Sequence, residues 1–315
     1  MLGEYNWLEA GGFLAVVAVS LWIDLRAHRN DEPVSSKNAM LWSALWIGLS
    51  FAFAAYVGIR HGAQDGALFI TAYLVEKSLS VDNLFVIMAV FSSFAIKDAL
   101  QHRVLYFGVI GALVMRFVFI GLGTGMVMQF GKYALGVFAL IIIWSAWKMW
   151  RNRMSSQNEI VDYSNHWSIR LTKKFFPIHP FLAGHKFFVK ERGIRMITPL
   201  FLCLICVETA DIIFAADSVP AVISVVGANL FLVYTSNVFA VLGLRSLYFL
   251  LAAGKRRLSR LEQAVIAVLL FIGVKMLLDV SGLIHINPYI SLAAVLLLLS
   301  AGVVFSFLYP VRNES

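Results

Sequence analysis

The chain of 315 residues is 60% hydrophobic and only 14% charged, against about 25% charged residues in an average soluble domain. That balance excludes a water-soluble globule. The formal charge of +8 is gathered in short connections between apolar runs rather than in a basic, aromatic surface, which excludes nucleic acid as a partner.

The period-2 pattern of an outer-membrane barrel is absent, so the expected class is all-α, a polytopic membrane helix bundle. Spans of roughly the ~20 residues that cross a bilayer are expected at 7–25, 40–59, 67–94, 104–124, 130–150, 198–226, 229–253, 264–281 and 288–309. The first lies beside Glu4 and Glu9, not behind the basic region of a cleavable signal, and is expected to be retained. Lys37, Lys97, Arg103, the stretch after Trp150, and Lys255 to Arg260 fall on one side, whereas Arg60 falls on the other. The positive-inside rule then puts the N-terminus outside and the C-terminus in the cytoplasm. The expected location is a bacterial inner membrane, crossed nine times, with lipid as the surrounding partner.

Five segments follow from this order. Residues 1–66 hold two N-terminal helices, 67–150 a first half, 151–197 a basic cytoplasmic loop, 198–281 a second half, and 282–315 the last helix and tail. Gly121, Gly123 and Gly125 follow no strand and are expected in a turn at a helix end. Trp144, Trp147 and Trp150 are expected in an interfacial belt. The loop carries His166, His179 and His185 at irregular spacing among nine basic residues, a pattern suited to a surface segment rather than a metal sensor. Phe175, Phe176, Phe181, Phe187 and Phe188 should pack it against the membrane face or the helix ends. Cys203 and Cys206 lack partner cysteines or a nearby histidine, so they are expected as small buried residues rather than a redox or metal pair.

The third span contains Glu76, Lys77 and Asp82 within EKSLSVDNLFV, and the sixth contains Glu208, Asp211 and Asp217 within ETADIIFAADSVPA. Each acid at mid-membrane costs about 2.5–3.5 kcal/mol on insertion scales. Lys77 with Arg116 and Arg245 supplies three positive charges against these five negative ones, and a divalent cation would cancel the difference if all were ionised. A buried ion-pair network holding the helices together is the alternative. The excess of acid, with Ser78, Ser80, Asn83, Thr209 and Ser218 beside it, favours a cation site. Every donor in these segments is an oxygen apart from Lys77, so manganese, magnesium and calcium outrank zinc and copper. No resident cofactor is expected, and no hydrolytic triad or zinc-protease motif points to an enzyme.

The two acidic segments align as Glu76-x5-Asp82-Asn83 and Asp211-x5-Asp217-Ser218. Downstream, GVIGALVMR ends at Arg116 and NVFAVLGLR ends at Arg245. Spans three to five therefore look repeated, in inverted orientation, in spans six to eight, which is how transporters place a site at the midplane. Residues six apart point about 120° away from each other on a straight helix. One ion shared by such a pair would need unwound helices, expected near 80–83 and near 217–220, where Pro220 removes a backbone donor.

EKSLSVDNLFV, VETADIIFAADSVPA and TSNVFAVLGLRSLYFLL closely resemble the TerC family of integral membrane proteins, and most of all its Alx-type members. The likeness extends more loosely from about Ala67 to Leu278. The resemblance implies manganese export and carries the metal-ligand role onto Glu76, Asp82, Glu208, Asp211 and Asp217, with Lys77, Asn83, Arg116, Ser218 and Arg245 in support. It also implies tellurium resistance and contact with stress-response or secretion proteins, which would suit a membrane scaffold or sensor as the rival function. As a transporter, the chain would bind cytoplasmic metal between spans three and six and rock its halves outward, with protons competing for the carboxylates.

Overall fold

The computed structural model describes residues 7–27, 36–155, 167–191, 193–227, 229–254, 261–284 and 286–308. Within them, the side chains of Asp82 and Asp217 lie outside the described set. The elements run α1 (Trp7–Ala27), α2 (Ser36–His61), α3 (Ala63–Ser93), α4 (Asp98–Phe130), α5 (Lys132–Ser155) and α6 (Trp167–Phe175). A hairpin of β1 (Phe188–Glu191) and β2 (Ile194–Ile197) follows, then α7 (Pro199–Val226), α8 (Leu230–Val241), α9 (Leu244–Gly254), α10 (Leu261–Val280) and α11 (Pro288–Leu308). Seven stretches are long and apolar enough to cross a membrane: α2, α4, α5, α7, α8 with α9, α10 and α11. Helix α3 has the length, but Glu76, Lys77 and Asp82 crowd its middle with charge.

Local chemistry sets the boundaries. Helix α7 starts where Thr198 caps the Phe201 amide and Pro199 takes the first turn, a position whose amide would have no partner in any case. It stops at Gly227, whose φ of 75° suits glycine. Asn229 then caps the Leu232 amide to open α8. Thr198 also donates from its hydroxyl to the Lys186 carbonyl at 2.8 Å, which ties the hairpin to the head of α7.

Buried apolar side chains form two clusters. The first contains Phe69 and Val75 of α3, Ile120 of α4, Val219 to Val226 of α7 and Phe231 to Ala240 of α8. The second contains Leu84 to Phe91 of α3, Val104 and Leu105 of α4, Leu200 to Val207 of α7, Leu244 to Leu251 of α9, and Ile169 of α6. Along α3 the chain passes from the first cluster to the second; along α7 it passes from the second to the first. The two helices therefore run in opposite directions, as do α4 and the α8–α9 pair. Helix α3 packs on α7 and α8, α7 packs on α3 and α4, and α5 packs on α10.

Several expectations need correction. Neither α3 nor α7 is broken: α3 is helical through 80–83, and α7 carries Pro220 inside a continuous helix. The break falls instead in the seventh span, at Leu242–Gly243, between α8 and α9. Gly121, Gly123 and Gly125 lie within α4, not in a turn. A Cβ at Gly123 would come within 2.9 Å of Ile223 Cδ1, so that glycine admits α7 to close packing. The stretch 151–197 is not a plain loop but begins as the last turn of α5 and holds α6 and the hairpin. Phe187 and Phe188 do pack on the helix ends, against Phe107 and Phe201, whereas Phe175 and Phe181 are exposed. His179 bonds the Phe181 carbonyl, and His166 lies outside the described residues. Trp144, Trp147 and Trp150 are about half exposed, with Lys148 and Arg151 over the first two rings. Cys203 and Cys206 are buried in the second cluster.

Candidate functional site

A polar layer separates the two clusters, and Arg116 is its centre. Its guanidinium is 2% exposed. It pairs with Glu76 of α3, donates to Asn237 Oδ1 of α8 at 3.0 Å, and donates to Asp211 Oδ1 of α7 at 3.4 Å. Four helices thus meet through one side chain. Burying so many polar atoms among apolar residues is tolerable only because the fork of Arg116 matches several acceptors at once.

The match leaves oxygens over. Asn83 donates its amide to Asp211 Oδ1 at 3.4 Å, but among the described residues Asn83 Oδ1, Glu76 Oε2 and Asp211 Oδ2 are buried with no hydrogen-bond partner. Buried acceptors of this kind are uncommon, and here three stand within one set of linked side chains. Beside them, a cavity of about 30 Å³ is lined by Asn83, Leu84, Gly108, Val207, Asp211 and Arg245, among others. Arg245 is buried directly after the α8–α9 break.

Glu208 lies one helical turn before Asp211, toward the second cluster, and its carboxylate rests where a Cβ on Gly111 of α4 would be. Only a glycine at that position leaves room for it. Ser218 is buried, and among the described residues its hydroxyl has no partner. Ser78, Ser80 and Thr209 donate to carbonyls of their own helices, which spends their protons locally. Lys77 does not join the carboxylates; its ammonium turns to the α8–α9 break and donates to the carbonyls of Ala240 at 3.1 Å and Leu242 at 3.4 Å.

Of the residues singled out by sequence, Glu76, Asn83, Asp211 and Arg116 are therefore linked by direct bonds. Arg245 borders the same cavity, Glu208 stands a turn away, and Lys77 faces elsewhere. The side chains of Asp82 and Asp217 lie outside the described residues. Among the described residues, no three His, Cys, Asp or Glu side chains converge as a metal cluster. Asn237 was not expected as a partner of Arg116; an amide inside an apolar span is the same signal that marks the carboxylates. Gly111 could have been found only from packing, since a glycine in an apolar helix reads as close approach without saying to what.

Comparison with known proteins bears on this layer. A family model described as "Integral membrane protein TerC family" matches residues 61–314, which include all of these side chains. The tellurium resistance protein TerC of Serratia marcescens is 43% identical, with 96% of this chain and 94% of that protein aligned. The thylakoid membrane protein TERC of Arabidopsis thaliana is 40% identical over 90% of this chain and 71% of its own length. A Salmonella typhi protein named Alx is 38% identical over 94% and 92%. No solved structure matches.

Proposed function

The chain belongs to the TerC family of integral membrane proteins, and from that membership we propose that it exports a divalent metal cation, manganese first, across a bacterial inner membrane. One observation carries the reading: among the described residues, Glu76 Oε2, Asp211 Oδ2 and Asn83 Oδ1 are buried acceptors left without a donor, in a layer between two apolar clusters. A hard cation satisfies such oxygens directly. Protons satisfy the two carboxylates equally well, so metal and protons compete for the same atoms, and their exchange is a means of release. Asp82 and Asp217, one to two turns further along the same helices, and Glu208 complete the proposed ligand supply. Arg116 orients Glu76 and Asp211 through its bonds to one oxygen of each, while the cation occupies their free oxygens.

The proposed topology has nine spans, adding α1 and α3 to the seven apolar stretches, with the N-terminus outside. Its cytoplasmic end is the second cluster, where α6 packs through Ile169. The cavity beside Asp211 would then open from the cytoplasmic side, past Glu208. The opposite directions of α3 and α7, and the paired contacts of α3 with α8 and α4 with α7, support an inverted repeat rocking about this layer.

Arg116 bridging three other helices favours a second reading, in which the network simply holds together a membrane scaffold for stress-response partners. Titration of purified protein with manganese separates the two. Asp211→Asn is expected to weaken binding at least about tenfold at unchanged yield. Unchanged affinity together with a fall in yield would favour the scaffold.

A further inference from the structure

We propose that the α8–α9 break is a site for a monovalent cation, and that the ammonium of Lys77 is its built-in occupant. The break exists because the chain leaves helical geometry at Leu242, with ψ of 130°, and turns at Gly243, with φ of 77°. A helix end leaves its last carbonyls without amide partners, and inside a membrane such groups must be satisfied by protein. Lys77 Nζ does this for two of them, at 3.1 Å from the Ala240 oxygen and 3.4 Å from the Leu242 oxygen. Among the described residues, Nζ has no carboxylate within ion-pairing distance. Among the described groups, the ones that hold its charge are the backbone carbonyls of Ala240 and Leu242.

Neutral carbonyl oxygens at an unwound turn are the ligand type that protein sites use for sodium or potassium, whereas a divalent ion calls for carboxylates. The geometry does not depend on Lys77 alone. A Cβ on Gly243 would meet Trp46 at 2.6 Å, and that fully buried ring wedges the turn from the α2 side. Removing the lysine side chain should leave two converging carbonyls and the space the ammonium filled. The site borders the polar layer through both segments that form it: Lys77 follows Glu76 on α3, and Arg245 follows the break by two residues.

The test uses Lys77→Ala in detergent, unfolded thermally without divalent metal in sodium, potassium, ammonium or choline chloride. The midpoint of the variant is expected to rise by about 2–4 °C in at least one small-cation salt at roughly ten times its dissociation constant. Choline, too large for the turn, should give no rise, and the wild type should respond to none of them. Identical responses of variant and wild type to all four salts would overturn the proposal. Should Lys77→Ala not accumulate, the comparison moves to cell abundance. Lys77→Arg, which keeps a cation, is expected to exceed Lys77→Met, and the reverse order would also overturn it. Neither readout involves manganese, so failure of the export reading would leave this one standing.

Discussion

Arg116 is among the largest fully buried side chains in the molecule, and its cost is offset by Glu76, Asp211 and Asn237. Removing one partner of a buried ion pair strands the other, typically at about 3–5 kcal/mol. Arg116→Met would strand two carboxylates together, so its thermal midpoint and yield should fall clearly below those of the wild type. Midpoints within a degree of each other would mean that the carboxylates are satisfied without the arginine. Gly111 gives the complementary test. Alanine gains about 1 kcal/mol of helix propensity over glycine, yet its methyl group would displace the Glu208 carboxylate from α4. Gly111→Ala is expected to fold and to lose manganese binding, a split that a purely structural Glu208 would not produce. Wild-type affinity would remove Glu208 from the proposed path.

At the scale of elements, the break between α8 and α9 has the clearest physical cause. Gly243 combines a left-handed φ with the Trp46 ring against the place of a Cβ. Gly243→Ala should destabilise the protein by about 1–3 kcal/mol, read as a lower unfolding midpoint; an unchanged midpoint would mean that the turn relaxes freely. Composition and hydropathy made the all-α class legible, and seven of the nine expected spans coincide with helices long and apolar enough to cross a membrane, because twenty apolar residues in a bilayer have one economical conformation. The break was placed wrongly for a physical reason. A shared ion between acids six apart calls for unwound helices, and Pro220 offers a place to unwind one, but a proline within a long helix is accommodated when neighbours restrain the chain. The actual break carries no proline. Its cause is one glycine opposite a tryptophan about two hundred residues away in sequence, a tertiary fact. Within the site, Glu76, Asp211 and Arg116 were legible because charge in an apolar span stands out. The direction of Lys77 was not, since a lysine's charge says nothing about whether carboxylates or carbonyls will hold it.

Across the whole molecule, two apolar clusters enclose one polar layer, and α3 and α7 cross that layer in opposite directions. The cationic residues Arg170, Lys173, Lys174, Lys186 and Lys190 lie in the stretch joining α5 to α7, at the second cluster's end. The proposed orientation makes that end cytoplasmic. A cysteine replacing Lys173, which α6 carries in its last turn, should resist impermeant thiol reagents in intact cells and react once the membrane is opened. Labelling in intact cells would invert the topology and, with it, the direction of export.

Metal flux into proteoliposomes containing the purified protein tests the central claim most directly, comparing manganese, calcium and magnesium with a proton gradient imposed in either sense. The account predicts flux of manganese that Asp82→Asn and Asp211→Asn each abolish while leaving reconstitution unchanged. Absence of flux for all three ions under both gradients, from protein that still binds in the layer or merely folds around it, would contradict transport and leave the Arg116 network as a structural core.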